Sequence, residues 1–123
     1  MKMIRAIVRQ EKVHEVMRSL MDAGFPGMTK FSVFGRGKQR GVRIGEITYD
    51  ELPKEMLMVV VPDADVKIAV DIITATARTG SGTMGDGRIF VTAVTESWPI
   101  SSGCRDEEPE LEGSLVGDLE DVP

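Results

Sequence analysis

The chain has 123 residues, a formal net charge of −5 and one cysteine. This length suits a single domain with one hydrophobic core. The acidic balance argues against nucleic acid or an anionic membrane as the main partner, since both attract basic surfaces. A lone cysteine excludes an internal disulfide. No apolar stretch is long enough to span a bilayer and no secretory signal pattern is visible, so we expect a cytoplasmic protein without membrane insertion.

The first half of the chain predicts a strand, a helix and a second strand. A short apolar run covers residues 4–8. After it, apolar residues recur at the spacing of an amphipathic helix, which ends at Gly24: Val13, Val16, Met17 and Leu20. Residues 28–34 then alternate as a strand, with Met28, Phe31 and Val33 expected on one face.

The second half repeats this order. Residues 56–61 form a continuous apolar strand, and Pro62 with Asp63 predicts a turn in which Asp63 caps the next helix. The apolar face of that helix contains Val66, Ala69, Val70, Ile73 and Ala77. Residues 89–94 predict the last strand.

The element order βαββαβ predicts an α+β fold of the ferredoxin-like type, in which one antiparallel sheet carries both helices on one face. The other face needs a cover, because residues 56–61 are apolar on both sides of their strand. Self-association into a cyclic oligomer would bury that face and would bring loops to subunit boundaries, where ligand pockets form.

A long connection runs from Gly35 to Pro53, about three times the usual hairpin length. It begins with the sequence GRGKQRG at residues 35–41, which combines three glycines with positive charges in an otherwise acidic chain. Glycine allows backbone N–H groups to converge on an anion, and the cations neutralise it. A solvated basic loop is the alternative, because the segment matches neither the Walker nor the dinucleotide pattern.

A second glycine-rich connection covers residues 79–88, TGSGTMGDGR, between a predicted helix and a predicted strand. A flexible turn and an anion-binding loop are both open interpretations. Two such loops in one small domain favour a phosphate-bearing ligand.

The remaining polar residues indicate no catalytic chemistry. No nucleophile–base pair and no carboxylate dyad is visible, so we do not expect an enzyme. His14 and Cys104 lie far apart in the sequence and form no zinc-type cluster.

Several segments together resemble the PII signal-transduction proteins of nitrogen regulation: residues 27–29, 35–41, 52–54, 79–80 and 85–91. The resemblance covers residues 1–103. The stretches MKMIRAIVR at 1–9, FGRGKQRG at 34–41 and YDELPK at 49–54 are most similar to the NifI branch, which regulates nitrogenase.

The resemblance implies a homotrimer, in some members with a second PII-like subunit, that binds ATP or ADP between subunits. In this family 2-oxoglutarate joins the site through a magnesium ion held by the ATP phosphates. Residues 36–53 correspond to the T-loop, which carries the output, and residues 80–88 to the B-loop. The domain would cover residues 1–103, followed by an acidic tail at 104–123 that is disordered or bound to a partner.

The binding residues of the family carry over to this chain. Gln39 matches the magnesium and 2-oxoglutarate ligand, and Lys54 matches the lysine that pairs with a 2-oxoglutarate carboxylate. The expected nucleotide site contains Thr29, Gly37, Lys38, Gln39, Val60, Gly85, Asp86, Gly87 and Arg88. The expected docking residues of the T-loop are Arg40, Arg43 and Tyr49.

Three features depart from the family pattern. Pro99 and Ser101 stand where the family has two arginines that reach the phosphates of a neighbouring subunit's nucleotide, which puts the nucleotide affinity in question. The B-loop has extra residues around Gly82. The T-loop is shorter than in uridylylated members and Tyr49 does not align with their modified tyrosine, so we do not predict uridylylation.

The leading hypothesis is therefore a PII-type regulator that senses ATP or ADP and 2-oxoglutarate and controls nitrogenase. Another target, such as an ammonium transporter or glutamine synthetase, is an alternative. An RNA-binding ferredoxin-like domain is a further alternative, disfavoured by the acidic charge and by the lack of RNP-type aromatic residues.

Overall fold

The computed structural model describes residues 1–36, 42–44, 47–49 and 51–107. For residues 42–44 and 47–49 the description is limited to the backbone. The predicted tail lies outside the described residues from position 108 onward.

Six strands and two α-helices follow one another along the described chain. In order they are β1 Lys2–Arg9, α1 Val13–Asp22, β2 Met28–Gly35, β3 Val42–Ile44, β4 Ile47–Tyr49, β5 Leu52–Val61, α2 Val66–Ala77 and β6 Gly87–Ala93. Short 3-10 turns precede the helices at Gln10–Lys12 and Asp63–Asp65. Apart from the β3–β4 hairpin, this is the predicted βαββαβ order.

The main sheet has the strand order β2-β5-β1-β6, and all three strand pairs are antiparallel. Strand β1 lies between β5 and β6. Its first residue, Lys2, pairs with Val61 and Ala93, while Arg9 pairs with Lys54 at its other end. This order, with both helices against the sheet, confirms the predicted ferredoxin-like α+β fold.

The hydrophobic core lies between one face of the sheet and the two helices. Every second residue of β1 and β5 is buried there, beside the apolar faces of α1 and α2: Ile4, Ala6, Val8, Leu57, Val59, Val61, Val13, Val16, Leu20, Ala69, Ile73 and Ala77. The spacing of three to four residues is the one that predicted the helices, whereas β1 and β5 were predicted from continuous apolar runs. Burial of these side chains is therefore what aligns the strands and orients both helices.

The opposite face of the sheet, called here the open face, is not covered by either helix. Alternation along the strands assigns Ile7, Met56, Met58 and Val60 to it, and all four are half-buried. Two aromatic side chains lie on the same face at the edge strands: Phe31 and Phe90, which are 40% and 46% exposed. The sequence analysis had not placed aromatic residues on this surface.

Two local expectations were wrong. Met28 pairs with Val59 and so lies on the helix side of the sheet, opposite to Phe31 and Val33. Asp63 does not cap α2. Its carboxylate instead accepts from the N-terminal ammonium of Met1 at 3.0 Å. In both cases a tertiary contact determines the side chain's role, and local spacing does not reveal it.

The long first connection contains an antiparallel hairpin, which the sequence analysis did not predict. Strands β3 and β4 pair Val42 with Tyr49 and Ile44 with Ile47. Among the described residues, neither helix has the length and apolar character needed to cross a membrane.

Gly87 provides a test of the β1–β6 register. It has a φ of 116°, and a Cβ at this position would lie 1.8 Å from the Ile7 carbonyl oxygen. We expect Gly87→Ala to lower the free energy of unfolding by about 3 kcal/mol, because backbone strain and a backbone clash add. Urea denaturation at equal protein concentration measures the loss.

Gly82 is a matched control, because it has the same φ of 116° but nothing within 4 Å of its ideal Cβ. Gly82→Ala should cost only the strain, about 1 kcal/mol. Equal losses in the two variants would contradict the close approach of β6 to β1.

Candidate functional site

Both glycine-rich connections meet the main sheet at the same end. Strand β2 ends at Gly35, β5 returns at Leu52, and the second connection enters β6 at Gly87. We call this the loop end. The opposite end of the strands, where Lys2 pairs with Val61 and Ala93, is called the far end.

Lys54 joins the two connections. It lies near the start of β5, and its Nζ donates to the Gly85 carbonyl at 2.6 Å. Partial burial, followed by the positive charge of Arg9, lowers the pKa of Lys54 from its ordinary value of 10.5, against the opposite effects of Glu11 and Asp86. Lys54 is thus a half-buried cation whose partner is a neutral carbonyl rather than a carboxylate.

Asp86 organises the second connection. Its carboxylate accepts from Thr79 N at 3.2 Å, Thr79 Oγ1 at 2.7 Å, Thr83 N at 2.8 Å and Arg9 Nε at 3.1 Å. Partial burial acts to raise the pKa of Asp86, but the hydrogen bonds from Thr83, Thr79 and Arg9 outweigh it and hold the pKa well below its ordinary value of 3.8. The negative charge of Asp86 is therefore compensated by hydrogen-bond donors of the loop and by Arg9.

The segment with the extra residues forms its own turn. Gly82 N donates to Thr79 O at 3.0 Å, and Thr83 Oγ1 donates to the same carbonyl at 3.1 Å. A second turn follows, in which Asp86 N donates to Thr83 O at 3.1 Å. The extra residues are thus accommodated next to Thr79, before the stretch from Gly85 to Arg88.

Sequence reasoning missed Arg9. Its guanidinium donates to the Asp86 carboxylate and, through Nη2, to the Met84 carbonyl at 3.0 Å. The residue stands at the last position of β1, directly opposite Lys54. No motif marks it, because its proximity to the second connection depends on how β1 pairs with β5 and β6.

The predicted site residues fall into three groups. Lys54 and the stretch Gly85 to Arg88 meet at the loop end, whereas Thr29 and Val60 lie toward the far end. Along β5, Val60 is roughly 20 Å from Lys54 at the usual rise per residue. Gly37, Lys38, Gln39 and Arg40 lie outside the described residues, and of Arg43 and Tyr49 only the backbone pairing is described.

A shallow cavity of about 220 Å³ borders the loop end, between β1, the C-terminal half of α2 and the start of β6. The residues that line it include Thr74, Arg78, Asp86 and Gly87. This volume is below the roughly 300–1,000 Å³ of sites that enclose a ligand of drug size. The described residues of one chain therefore do not enclose a nucleotide here.

The segment after β6 leaves the sheet at the far end, where Val94 N donates to Met1 O at 3.1 Å. It forms a closed loop through hydrogen bonds between Ser97 and Asp106, at 2.8 Å from Asp106 N to Ser97 O. Pro99 accepts within this loop from Gly103 N at 2.9 Å. The described hydrogen bonds of this segment thus extend to Asp106.

The family model described as "Nitrogen regulatory protein P-II" matches residues 1–104. The chain belongs to the P-II family. The resemblance found in the sequence is thereby confirmed, and proteins of this family are regulatory signal proteins rather than enzymes. They are trimers that act on target proteins, and they generally bind ATP or ADP and 2-oxoglutarate.

Individual relatives agree with the NifI branch of the P-II family. The Nitrogen fixation nifHD region GlnB-like protein 1 of Methanothermobacter marburgensis is 51% identical over 100 residues, covering 81% of this chain and 93% of the relative. The protein of the same name from Methanothermococcus thermolithotrophicus is 48% identical over 103 residues, covering 84% and 96%. The Nitrogen fixation nifHD2 region GlnB-like protein 1 of Methanosarcina barkeri is 48% identical over 103 residues, with the same coverage of 84% and 96%.

The lowered pKa of Asp86 gives a prediction for acid stability. A carboxylate with a lowered folded pKa stabilises the fold above its unfolded value of about 3.8, and this contribution is lost as the pH falls below that value. We expect Asp86→Asn to lower the Tm near neutral pH, with the difference from the wild type shrinking below about pH 3.8. Thermal unfolding followed by circular dichroism across this range measures the difference.

Asp71→Asn is the matched control, since Asp71 pairs with Lys67 on the exposed side of α2. It should reduce the Tm much less at neutral pH, because exposed pairs contribute little. Indistinguishable profiles for the two variants would show that Asp86 does not stabilise the loop through its charge.

Proposed function

We propose that this P-II protein senses ATP or ADP together with 2-oxoglutarate and controls nitrogenase through its T-loop. The observation that carries the proposal is the contact between Lys54 Nζ and the Gly85 carbonyl. It links the returning strand of the T-loop to the B-loop, so a ligand that engages either loop acts on the other. Cytoplasmic location is part of the same proposal.

The phosphate chain of the nucleotide would bind along Gly85 to Arg88. Gly85 and Gly87 have φ values of 97° and 116°, a conformation that lets neighbouring N–H groups converge on an anion. Arg88 lies on the open face opposite Ile7 and is exposed, so its guanidinium is accessible to phosphate. Asp86 contributes by shaping the loop, since its carboxylate already accepts four hydrogen bonds.

The acidic effector would bind at Lys54. A carboxylate makes a stronger, charge-assisted bond to the ammonium than the Gly85 carbonyl does, so 2-oxoglutarate would replace that carbonyl as the partner. Gln39 is the proposed ligand of the magnesium ion, although it lies outside the described residues. When bound, the ion would neutralise phosphate charge and supply coordination sites for the oxygens of the effector.

The proposed nucleotide site is shared between chains. Thr29 and Val60 lie toward the far end of the chain, whereas the B-loop lies at its loop end. A nucleotide would contact both groups of residues where the loop end of one copy meets the far end of a neighbouring copy. The half-buried apolar side chains of the open face support burial in a homotrimer. The loop containing Pro99 and Ser101 starts at the far end and would reach a neighbour's nucleotide without the two arginines of the family.

Nitrogenase is the proposed target because the relatives are named for a nitrogen fixation nifHD region. Docking is assigned to Arg40, Arg43 and Tyr49 of the T-loop, whose hairpin includes β3 and β4. An assembly with a second PII-like subunit is the alternative to the homotrimer. An ammonium transporter or glutamine synthetase is the alternative target, and the net charge of −5 disfavours RNA.

A titration of Lys54→Ala tests the sensing function. In the wild-type protein we expect 2-oxoglutarate to bind only when Mg-ATP is present. Lys54→Ala should weaken 2-oxoglutarate binding by about ten- to a hundredfold, the loss expected for one hydrogen bond to a charged group. ATP binding should change much less. Isothermal titration calorimetry measures both affinities.

Lys67→Ala removes an exposed lysine of α2 and serves as the control. It should bind both ligands like the wild type. Equal 2-oxoglutarate affinity in Lys54→Ala and the wild type would refute the role of Lys54, and the absence of any nucleotide binding by the wild type would refute the sensing function itself.

A nitrogenase assay tests the target. The protein, with its second subunit if one is required, should inhibit nitrogenase turnover in the absence of 2-oxoglutarate. Addition of Mg-ATP and 2-oxoglutarate should relieve this inhibition. The triple variant Arg40→Ala, Arg43→Ala, Tyr49→Ala should lose inhibition while keeping its nucleotide affinity, because only docking is removed. Lys12→Ala with Arg18→Ala is the control, and inhibition by the triple variant at wild-type strength would exclude docking through these residues.

A further inference from the structure

Arg9 is a charged residue at the loop end to which neither the sequence patterns nor the proposed function gives a role. Its side chain is only 20% exposed, although arginine is normally a surface residue. Two of its donors are used, by the Asp86 carboxylate and by the Met84 carbonyl. A long side chain held in this way fixes the segment to which it is bound.

Arg9 and Lys54 donate hydrogen bonds to consecutive carbonyl groups of the B-loop. Arg9 Nη2 lies 3.0 Å from Met84 O, and Lys54 Nζ lies 2.6 Å from Gly85 O. The two cations are cross-strand neighbours on β1 and β5. Together they hold these carbonyl groups toward the end of the sheet.

The planarity of the peptide bond gives this arrangement a consequence. In a trans peptide the carbonyl and the following N–H point in opposite directions. When the Met84 carbonyl points toward Arg9, the N–H of Gly85 therefore points away from it. No described group accepts a hydrogen bond from this N–H, so it remains available to an incoming anion.

We propose that Arg9 is a positioning residue for phosphate binding. It does not contact the nucleotide. It holds Met84 and Asp86 so that the Gly85 N–H faces the phosphate chain of a nucleoside di- or triphosphate. This inference rests on the proposed function, because it assigns the phosphates to the B-loop.

The same pairing makes Arg9 a positively charged neighbour of Lys54 across the strands. Among the described residues, the other charged groups that act on Lys54 are Glu11, from the 3-10 turn, and Asp86, from the B-loop. Both are acidic and favour the charged lysine, whereas Arg9 disfavours it. Removal of the charge at Arg9 should therefore raise the pKa of Lys54, which reports on the contact without any ligand.

The test compares Arg9→Gln, Arg9→Lys and, as a control, Arg18→Gln on the exposed side of α1. We expect Arg9→Gln to weaken ADP binding about tenfold in calorimetry, because loss of the bonds to Asp86 and Met84 releases the segment that carries the Gly85 N–H. Arg9→Lys should restore most of the affinity because it keeps a cation at this position. Arg18→Gln should bind like the wild type.

Two measurements on the ligand-free protein separate this inference from the proposed function. Amide hydrogen exchange at residues 79–87 should be faster in Arg9→Gln and close to wild type in Arg9→Lys. NMR titration of the Lys54 side chain should give a higher pKa in Arg9→Gln. A wild-type protein that binds neither ADP nor ATP would refute the proposed function, whereas unchanged exchange and an unchanged Lys54 pKa would overturn the role of Arg9.

Discussion

The register of strand β1 is the constraint on which the site depends. Because β1 pairs with β5 on one side and β6 on the other, it sets Arg9 opposite Lys54 and Val8 opposite Gly87. Burial of Ile4 and its neighbours against the helices fixes this register, since a slip by one residue would turn the core side chains toward the open face. The core packing that fixes the register of β1 therefore also positions the residues of the site.

The charges at the loop end are balanced in a way that suits a receptor for anions. Arg9 is paired with Asp86, whose negative charge is distributed over hydrogen bonds within the loop. Lys54 has only the Gly85 carbonyl as its hydrogen-bond partner among the described groups. The site thus retains local positive charge within a chain of net charge −5, and it does so without an unsatisfied buried side-chain polar atom among the described residues.

The sequence was sufficient for the fold because both helices and the central strands β1 and β5 have apolar residues at the positions that are buried. The helical spacings within residues 13–20 and 66–77 are examples. The family motifs indicated the positions of the two loops. What it could not supply were the features decided by pairing across the sheet: the face of Met28, the contact of Asp63 with the N-terminus, and Arg9. Lys54 and the B-loop glycines were identified from motifs, but the hydrogen bond between them depends on atoms more than 30 residues apart in the chain.

The separation of Thr29 and Val60 from the B-loop has a thermodynamic consequence under the proposed assembly. A ligand that contacts the loop end of one copy and the far end of another binds only associated chains, so ligand occupancy and self-association become one linked equilibrium. Apparent affinity for the ligand then depends on the total amount of protein. The response of the regulator would accordingly reflect its own abundance as well as the level of the metabolite.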